Sequence, residues 1–303
     1  WVAYTEPIVN IKVLTDDECK ACDPAEILIW LRRVVPTINA QKIDAKSEEG
    51  KAMASKFEIK SIPAFIFSDS ITKTDFYSQA QMLFDQREDH YRLKSNELGL
   101  PTGKYLELPK VNEGDAIFGN QESKVKVVVF SDFQCPYSKL FYKSLRDTMK
   151  NYKDTVLFDY KHLPLNFHAR ANDSALASEC ALEQNKFWEY ADKLYNDQTV
   201  WSKTEDNQKF KDYARQIGLK TDQFNQCLDE KKYQNKVDKD KTEAGNFSIG
   251  GTPAIFINDQ FRSGVIEAID LKNAIELQLN SAPAQNGEAT SMSGESNKEV
   301  TSN

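Results

Sequence analysis

The sequence predicts an α/β protein of two tandem units, the second interrupted by a helical insertion and followed by an unstructured tail. Three observations carry that expectation. A strand, turn, Cys and helix succeed one another twice along the chain. Each copy is followed by a Pro directly before a second apolar strand, and between Cys and Pro the second copy holds a far longer stretch with helical spacing. A length of 303 residues with 40% hydrophobic and 28% charged residues suits two buried cores. Lys plus Arg number 39 against 46 Asp plus Glu, and the net charge of −7 repels phosphate backbones, which argues against nucleic acid as a partner. No run approaches the roughly 18 consecutive apolar residues of a membrane helix.

The first unit is expected over residues 1–93. Ile8 to Leu14 reads as a strand, a polar turn leads to Cys19-Lys-Ala-Cys22, and Ile27, Leu28, Leu31 and Val34 mark a helix. Asp23, Pro24 and Glu26 form a helix-start signal of cap, first-position Pro and capping-box Glu, which would leave Cys19 ahead of the helix. Pro63 then precedes the apolar strand 64–67. Residues 94–117, with Gly99, Pro101, Gly103, Pro109 and Gly114, read as a linker. In the second unit, over residues 118–281, Val125 to Phe130 is the strand, 131–134 the turn, and Cys135-Pro-Tyr-Ser138 opens a helix carrying Leu140, Phe141 and Leu145. The insertion spans about 168–248. Its period runs through Ala175, Leu176, Cys180, Leu182, Phe187, Trp188 and Leu194, then through 210–217 and 224–228. Pro253 precedes the strand 254–257. The tail 282–303 is small and polar without an apolar period, and is expected to be disordered.

A βαβ unit whose first helix begins at a Cys motif, with an X-Pro before the returning strand, resembles the thioredoxin superfamily, and both halves fit. The second half resembles the DsbA-like disulfide oxidoreductases through Phe130-Ser-Asp-Phe-Gln-Cys-Pro-Tyr-Ser138, the run Lys186-Phe-Trp-Glu-Tyr190, and Gly250-Gly-Thr-Pro-Ala-Ile-Phe-Ile-Asn258. That resemblance covers roughly residues 118–279; the first 90 residues resemble a small thioredoxin- or glutaredoxin-like domain. It implies two tandem thioredoxin folds and a protein thiol-disulfide oxidoreductase. It also implies that Ile62-Pro63 and Thr252-Pro253 are cis, face their Cys motifs, and offer backbone to an extended peptide, with Pro136 and Tyr137 touching substrate.

A thiolate at a helix N-terminus is favoured by converging unpaired N–H groups, and Pro136 at the first helical position supports Cys135 as the cap and attacking thiol. The family's second Cys would fall at position 138. Ser138 there donates a hydrogen bond to a thiolate but cannot close a disulfide. A lone Cys135 fits a monothiol reductase or isomerase, a disulfide-trapping binder, or half of a relay with Cys19 and Cys22; a serine introduced to freeze a mixed disulfide would read the same. Cys19 and Cys22 are open to three readings, a redox pair, a structural disulfide or half of a zinc site, with His90, His162 and His168 too distant in sequence to favour zinc.

Cys180 and Cys227 lie on separate predicted helices and are expected to be bonded, leaving Cys135 as the odd thiol. Asp132 reads as a turn or cap residue, His162 and His168 as structural, and the charge-rich stretches 48–49 and 230–241 as solvated helix faces. The expected function is disulfide exchange, reduction or isomerisation on thiol- or disulfide-containing protein substrates, served by a separate redox partner, with no metal or organic cofactor. The expected Cys180–Cys227 disulfide would imply an oxidising compartment, outside the cytoplasm. A start at Trp1 suggests a removed signal or anchor. The competing readings are a non-catalytic peptide-binding or chaperone-like module, and a glutathione-dependent reductase or transferase.

Overall fold

The computed structural model describes residues 7–95 and 97–281. The expected tail at 282–303 lies outside the described residues. The chain runs through β1 (Val9–Thr15), α1 (Ala25–Val34), β2 (Ile38–Asp44), α2 (Glu48–Lys56), β3 (Ser61–Ile62), β4 (Ala64–Ser68), α3 (Asp75–Ala80), β5 (Phe84–Arg87) and β6 (His90–Leu93). A short β7 (Lys104–Tyr105) follows. Then come β8 (Ala116–Gly119), β9 (Lys126–Ser131), α4 (Pro136–Tyr152), β10 (Leu157–His162), α5 (Ala171–Leu182), α6 (Phe187–Asn196), α7 (Gln198–Trp201), α8 (Gln208–Gln216), α9 (Thr221–Asp229), α10 (Gln234–Asn246), β11 (Ala254–Ile257), β12 (Gln260–Ser263) and α11 (Ala268–Ser281).

Two five-stranded mixed sheets result, ordered β2-β1-β4-β6-β5 and β12-β11-β9-β10-β8. In each, the strand before the Cys motif lies inside the sheet, pairs in parallel with the strand after the helix, and pairs antiparallel with the strand after the Pro. The repeat read from sequence is therefore a repeat of topology. The extra strand lies on opposite edges, β5 beyond β6 in one sheet and β8 beyond β10 in the other. The second sheet thus takes its first strand from Ala116, two residues inside the expected linker.

Alternate residues of β9 serve opposite faces, as the two-residue strand period requires. Val127 and Val129 pack with Phe141, Leu145, Met149, Leu271 and the insertion, while Val128 and Phe130 pack with Ala244, Phe247 and Phe256. Burial on both faces explains the unbroken apolar run VVVF. The insertion departs from its expected outline: the period over 171–196 is two helices, broken where Asn185 takes φ 57°, and α10 is solvated on one side only, with Asp238 and Lys239 exposed and Val237, Asp240 and Ala244 buried. Its Asp240 is buried and accepts the His162 backbone N–H at 2.9 Å, and Lys236 spans Asp240 and Asp115. Glu48 and Glu49 do face solvent, beside Lys51 and Lys12.

Cys180 on α5 is bonded to Cys227 on α9, with Cα atoms 5.9 Å apart and both residues inside the second core. Cross-linking residues so far apart in sequence removes loop freedom from the unfolded chain. Replacing both by Ala is expected to lower the stability of the second unit by about 2 to 4 kcal/mol. Hydrogen exchange of the α5 and β9 amides in urea measures this, and unchanged protection would count against any stabilising role.

Candidate functional site

The turn after β9 delivers Cys135 as the N-cap of α4, with Pro136 in the first helical position as the sequence predicts. The Cys135 N–H donates to Asp132 O at 3.1 Å and its carbonyl accepts the Lys139 N–H at 3.1 Å, which begins the helix. Its Sγ lies 3.4 Å from the Thr252 carbonyl, as donor, and the Thr252–Pro253 bond is cis. Two motifs 117 residues apart in sequence thus meet at one sulfur atom.

One expectation changes here. Ser138 is fully buried, and its Oγ accepts the Asp132 N–H at 3.4 Å rather than donating to Cys135, because the first turn of α4 aims it back at the loop. Cys135 itself is only 3% exposed, since the Thr252 backbone packs against the sulfur. From the insertion, Gln198 clamps the loop by donating through Nε2 to Phe133 O at 2.7 Å and Cys135 O at 3.0 Å.

Asp132 does more than cap a turn. Buried, it accepts N–H groups from Gln134 and Leu165, and His168 Nδ1 sits 2.7 Å from its Oδ2. Ser131, Tyr195 and Tyr160 form a hydroxyl chain with spacings of 2.9 and 2.7 Å. Burial pushes both phenols up, so they remain neutral at physiological pH. Around this buried chemistry the surface is apolar and open: Tyr137 is 62% exposed, Leu140 61% and Phe167 78%. The Thr252 hydroxyl is buried without a hydrogen-bond partner among the described residues. A side chain built on Gly250 or Gly251 would meet nothing within 4 Å, so the backbone leading to Thr252 is unobstructed.

Sequence reasoning missed Gln198 and Phe167 and read His168 as merely structural. Gln198 has no local signal, because its partners are carbonyls of a distant turn. His162 is structural as expected, buried with Nε2 2.8 Å from Glu179 Oε1.

In the first unit, Cys19 and Cys22 form a disulfide with Cα atoms 5.2 Å apart. Residues 20–22 make a single 3-10 turn, and α1 starts only at Ala25, whose N–H reaches Asp23 Oδ1 at 3.2 Å. The pair therefore precedes the main helix, which starts one residue later than expected, with Pro24 rather than Asp23 at the cap position. The Ile62–Pro63 bond is cis, but Ile62 is not open to substrate: its carbonyl already accepts the Gly103 N–H at 2.9 Å. A cavity of about 420 Å³ between the units, lined by Glu58, Lys60, Arg92, Tyr105 and Phe247 among others, contains no cysteine.

The thioredoxin family model matches residues 111–277. The Na(+)/H(+) antiporter NhaA 1 of Mycolicibacterium vanbaalenii is 30% identical over 181 residues, covering 58% of this chain and 28% of that protein. NhaA 3 of Salinispora tropica is 30% identical over 178 residues, covering 58% and 26%. The chain thus spans about a quarter of the length of the curated relatives it matches. Among solved structures, a thioredoxin-like oxidoreductase from Silicibacter pomeroyi DSS-3 superposes with a TM-score of 0.50 at 22% identity, covering 56% of this chain and 95% of that one. A single-substitution form of Wolbachia pipientis alpha-DsbA1 gives 0.52 at 23%, covering 58% and 94%.

Proposed function

The chain belongs to the thioredoxin family and its second unit has a DsbA-like fold, and on that premise we propose that this unit is a thiol-disulfide oxidoreductase, exchanging disulfides on extended protein substrates through Cys135 alone. The observation that carries this reading is the meeting of the sulfur of the helix's N-cap residue with the Thr252 carbonyl beneath an apolar, exposed rim. In the step we envisage, the Cys135 thiolate attacks one sulfur of a substrate disulfide. A Cys135–substrate disulfide forms, and the other substrate sulfur leaves as a thiolate and takes a proton. With serine at position 138, release waits for another thiol. Two outside thiols complete a reduction, the first freeing the substrate and remaining bonded to Cys135, the second restoring the Cys135 thiol as the two outside thiols leave as a disulfide, whereas the substrate's own freed thiol completes an isomerisation with no net change of electrons. Thr252, Pro253, Pro136 and Tyr137 are the proposed substrate contacts, and the first unit is proposed as a second copy of the same fold. Two disulfides persist best in an oxidising compartment, so we place the protein outside the cytoplasm.

The depth of Cys135 favours one rival, a peptide-binding module without turnover. One experiment separates the two. The chain is mixed with a peptide disulfide, and adducts are mapped by mass spectrometry under non-reducing conditions. A covalent adduct on Cys135 that survives purification, is released by added thiol and is absent in Cys135→Ala is the expected result. Peptide retained non-covalently and equally by both proteins would establish the rival.

A further inference from the structure

We propose that the Ser61–Ile62 edge of the first unit is an extended-peptide site whose resident ligand is the chain's own residues 102–106, and that this ligand keeps the Cys19–Cys22 disulfide from exchanging with outside thiols. The two units present the same edge differently. Beside Thr252 no strand is laid among the described residues. At the equivalent edge of the first unit, β7 pairs antiparallel with β3, Lys104 opposite Ile62 and Tyr105 opposite Ser61. Backbone hydrogen bonds flank that pairing on both sides, from Gly103 N–H to Ile62 O at 2.9 Å and from Leu106 N–H to Lys60 O at 2.8 Å. Main-chain pairing of this kind is how an added strand gains affinity for a sheet edge.

The strand also lies against the Cys motif. A Cβ at Gly103 would stand 2.5 Å from Ala21 O and 2.7 Å from Cys22 N, so only glycine lets the backbone come this close. Lys104 adds an ion pair with the buried Asp16, 3.2 Å away, three residues before Cys19. The far side of the segment is held by the second unit: Lys104 reaches Asp259 at 2.9 Å, the Tyr105 N–H donates to Asp259 O, and the buried Tyr105 ring packs on Phe247, Phe256 and Phe261 while its hydroxyl donates to Phe247 O. The segment is therefore seated as a ligand of one unit and anchored in the core of the other, and Cys22 beneath it is wholly buried.

The test uses the full chain carrying Cys135→Ala, with alkylation of Cys19 and Cys22 read by peptide mass separately from that of Cys180 and Cys227, and does not depend on Cys135 being reactive. The pair is reduced with dithiothreitol under native conditions, quenched with an alkylating reagent at timed intervals, and quantified by mass. Slow reduction is expected in this parent, with acceleration of about tenfold or more in Gly103→Ala and in Lys104→Glu. Leu28→Ala, which loosens the first core away from the strand, should accelerate it far less. Equal rates in the parent and both linker variants would overturn the proposal, as would Leu28→Ala matching them. Should the linker variants fail to fold, amide exchange in the parent decides: protection of Gly103 and Leu106 is required, and free exchange at both rejects a resident strand.

Discussion

Ser138→Cys is expected to turn Cys135 from a thiol that holds its partner into one that releases it. The spacing is that of Cys19 and Cys22, which close a disulfide across three residues with Cα atoms 5.2 Å apart, and Ser138 stands on the first turn of α4 within the same loop-to-helix junction. A second thiolate there would attack the Cys135–substrate bond from inside the molecule. The substrate would leave with both sulfurs reduced, and the variant would keep a disulfide between Cys135 and the introduced thiol, so the electrons balance without an added thiol. Intramolecular attack replaces a collision with millimolar thiol, and release should quicken by about a hundredfold or more. The measurement is the fraction of chain trapped with a peptide disulfide over time. Adduct should accumulate in the parent, while in Ser138→Cys it should be fleeting and the free-thiol count should fall to zero. Trapping to the same extent in both proteins would mean that a thiol at position 138 does not reach the Cys135–substrate bond, whereas the absence of adduct in both would remove the basis for the proposed function.

Why this site was readable in advance, and other parts of the molecule were not, follows from where the information lies. Cys135 with Pro136 is a local signal: a cap followed by a residue that lacks an N–H, placed where a helix has no use for one. The second half of the site, Thr252-Pro253, was legible because the family resemblance implied a cis X-Pro facing the Cys motif, and the repeat showed the same order of motifs twice. Gly103 and Tyr105 offered no such cue. A two-residue strand has no period, and its partner lies some forty residues upstream, so a polar stretch with several glycines reads as a linker until its pairing is known. Charge misled for a related reason. Lys236 and Asp240 sit in a run of alternating charges that resembles a solvated helix, yet they face β10, and neither composition nor periodicity reveals that a sheet would present Asp115 and Lys161 to them. Ser138 shows the limit of reasoning by analogy: its type was read correctly as unable to form a disulfide, but its hydroxyl turned out to serve the Asp132 backbone.

Lys161→Met should produce the largest loss of stability. Lys161 is fully buried in β10, with its Nζ 2.9 Å from Asp115, 3.2 Å from Glu243 and 3.5 Å from Asp159. Burial alone would favour a neutral amine, but Asp159 and Asp115 hold it charged and push it up. Burial likewise works against the Asp115 carboxylate, and Lys236 and Lys161 overcome it and hold that group below the usual range. Asp159 fares worse: burial outweighs the attraction of Lys161 and pushes it well up. Removing one partner of such a cluster leaves charges with no solvent and less compensation, at a cost of about 3 to 5 kcal/mol.

The sign of the pH dependence follows. In the parent, the depressed Asp115 contributes stability above the ordinary carboxylate range, and that contribution is lost as pH falls through its lowered value. In Lys161→Met the carboxyl of Asp159 rises further, so the folded state binds more protons than the unfolded one. Its contribution then falls as pH rises from about 4 through that raised value. The deficit of the variant against the parent should therefore be larger at about pH 8 than at about pH 5. Exchange of the β9 and β10 amides in urea at both values reads it out in the second unit alone. Adding Asp159→Leu to Lys161→Met should recover part of the loss, because the least compensated carboxyl is then gone. A variant as stable as the parent at the higher pH would mean that the attraction among these groups does no more than offset their removal from water.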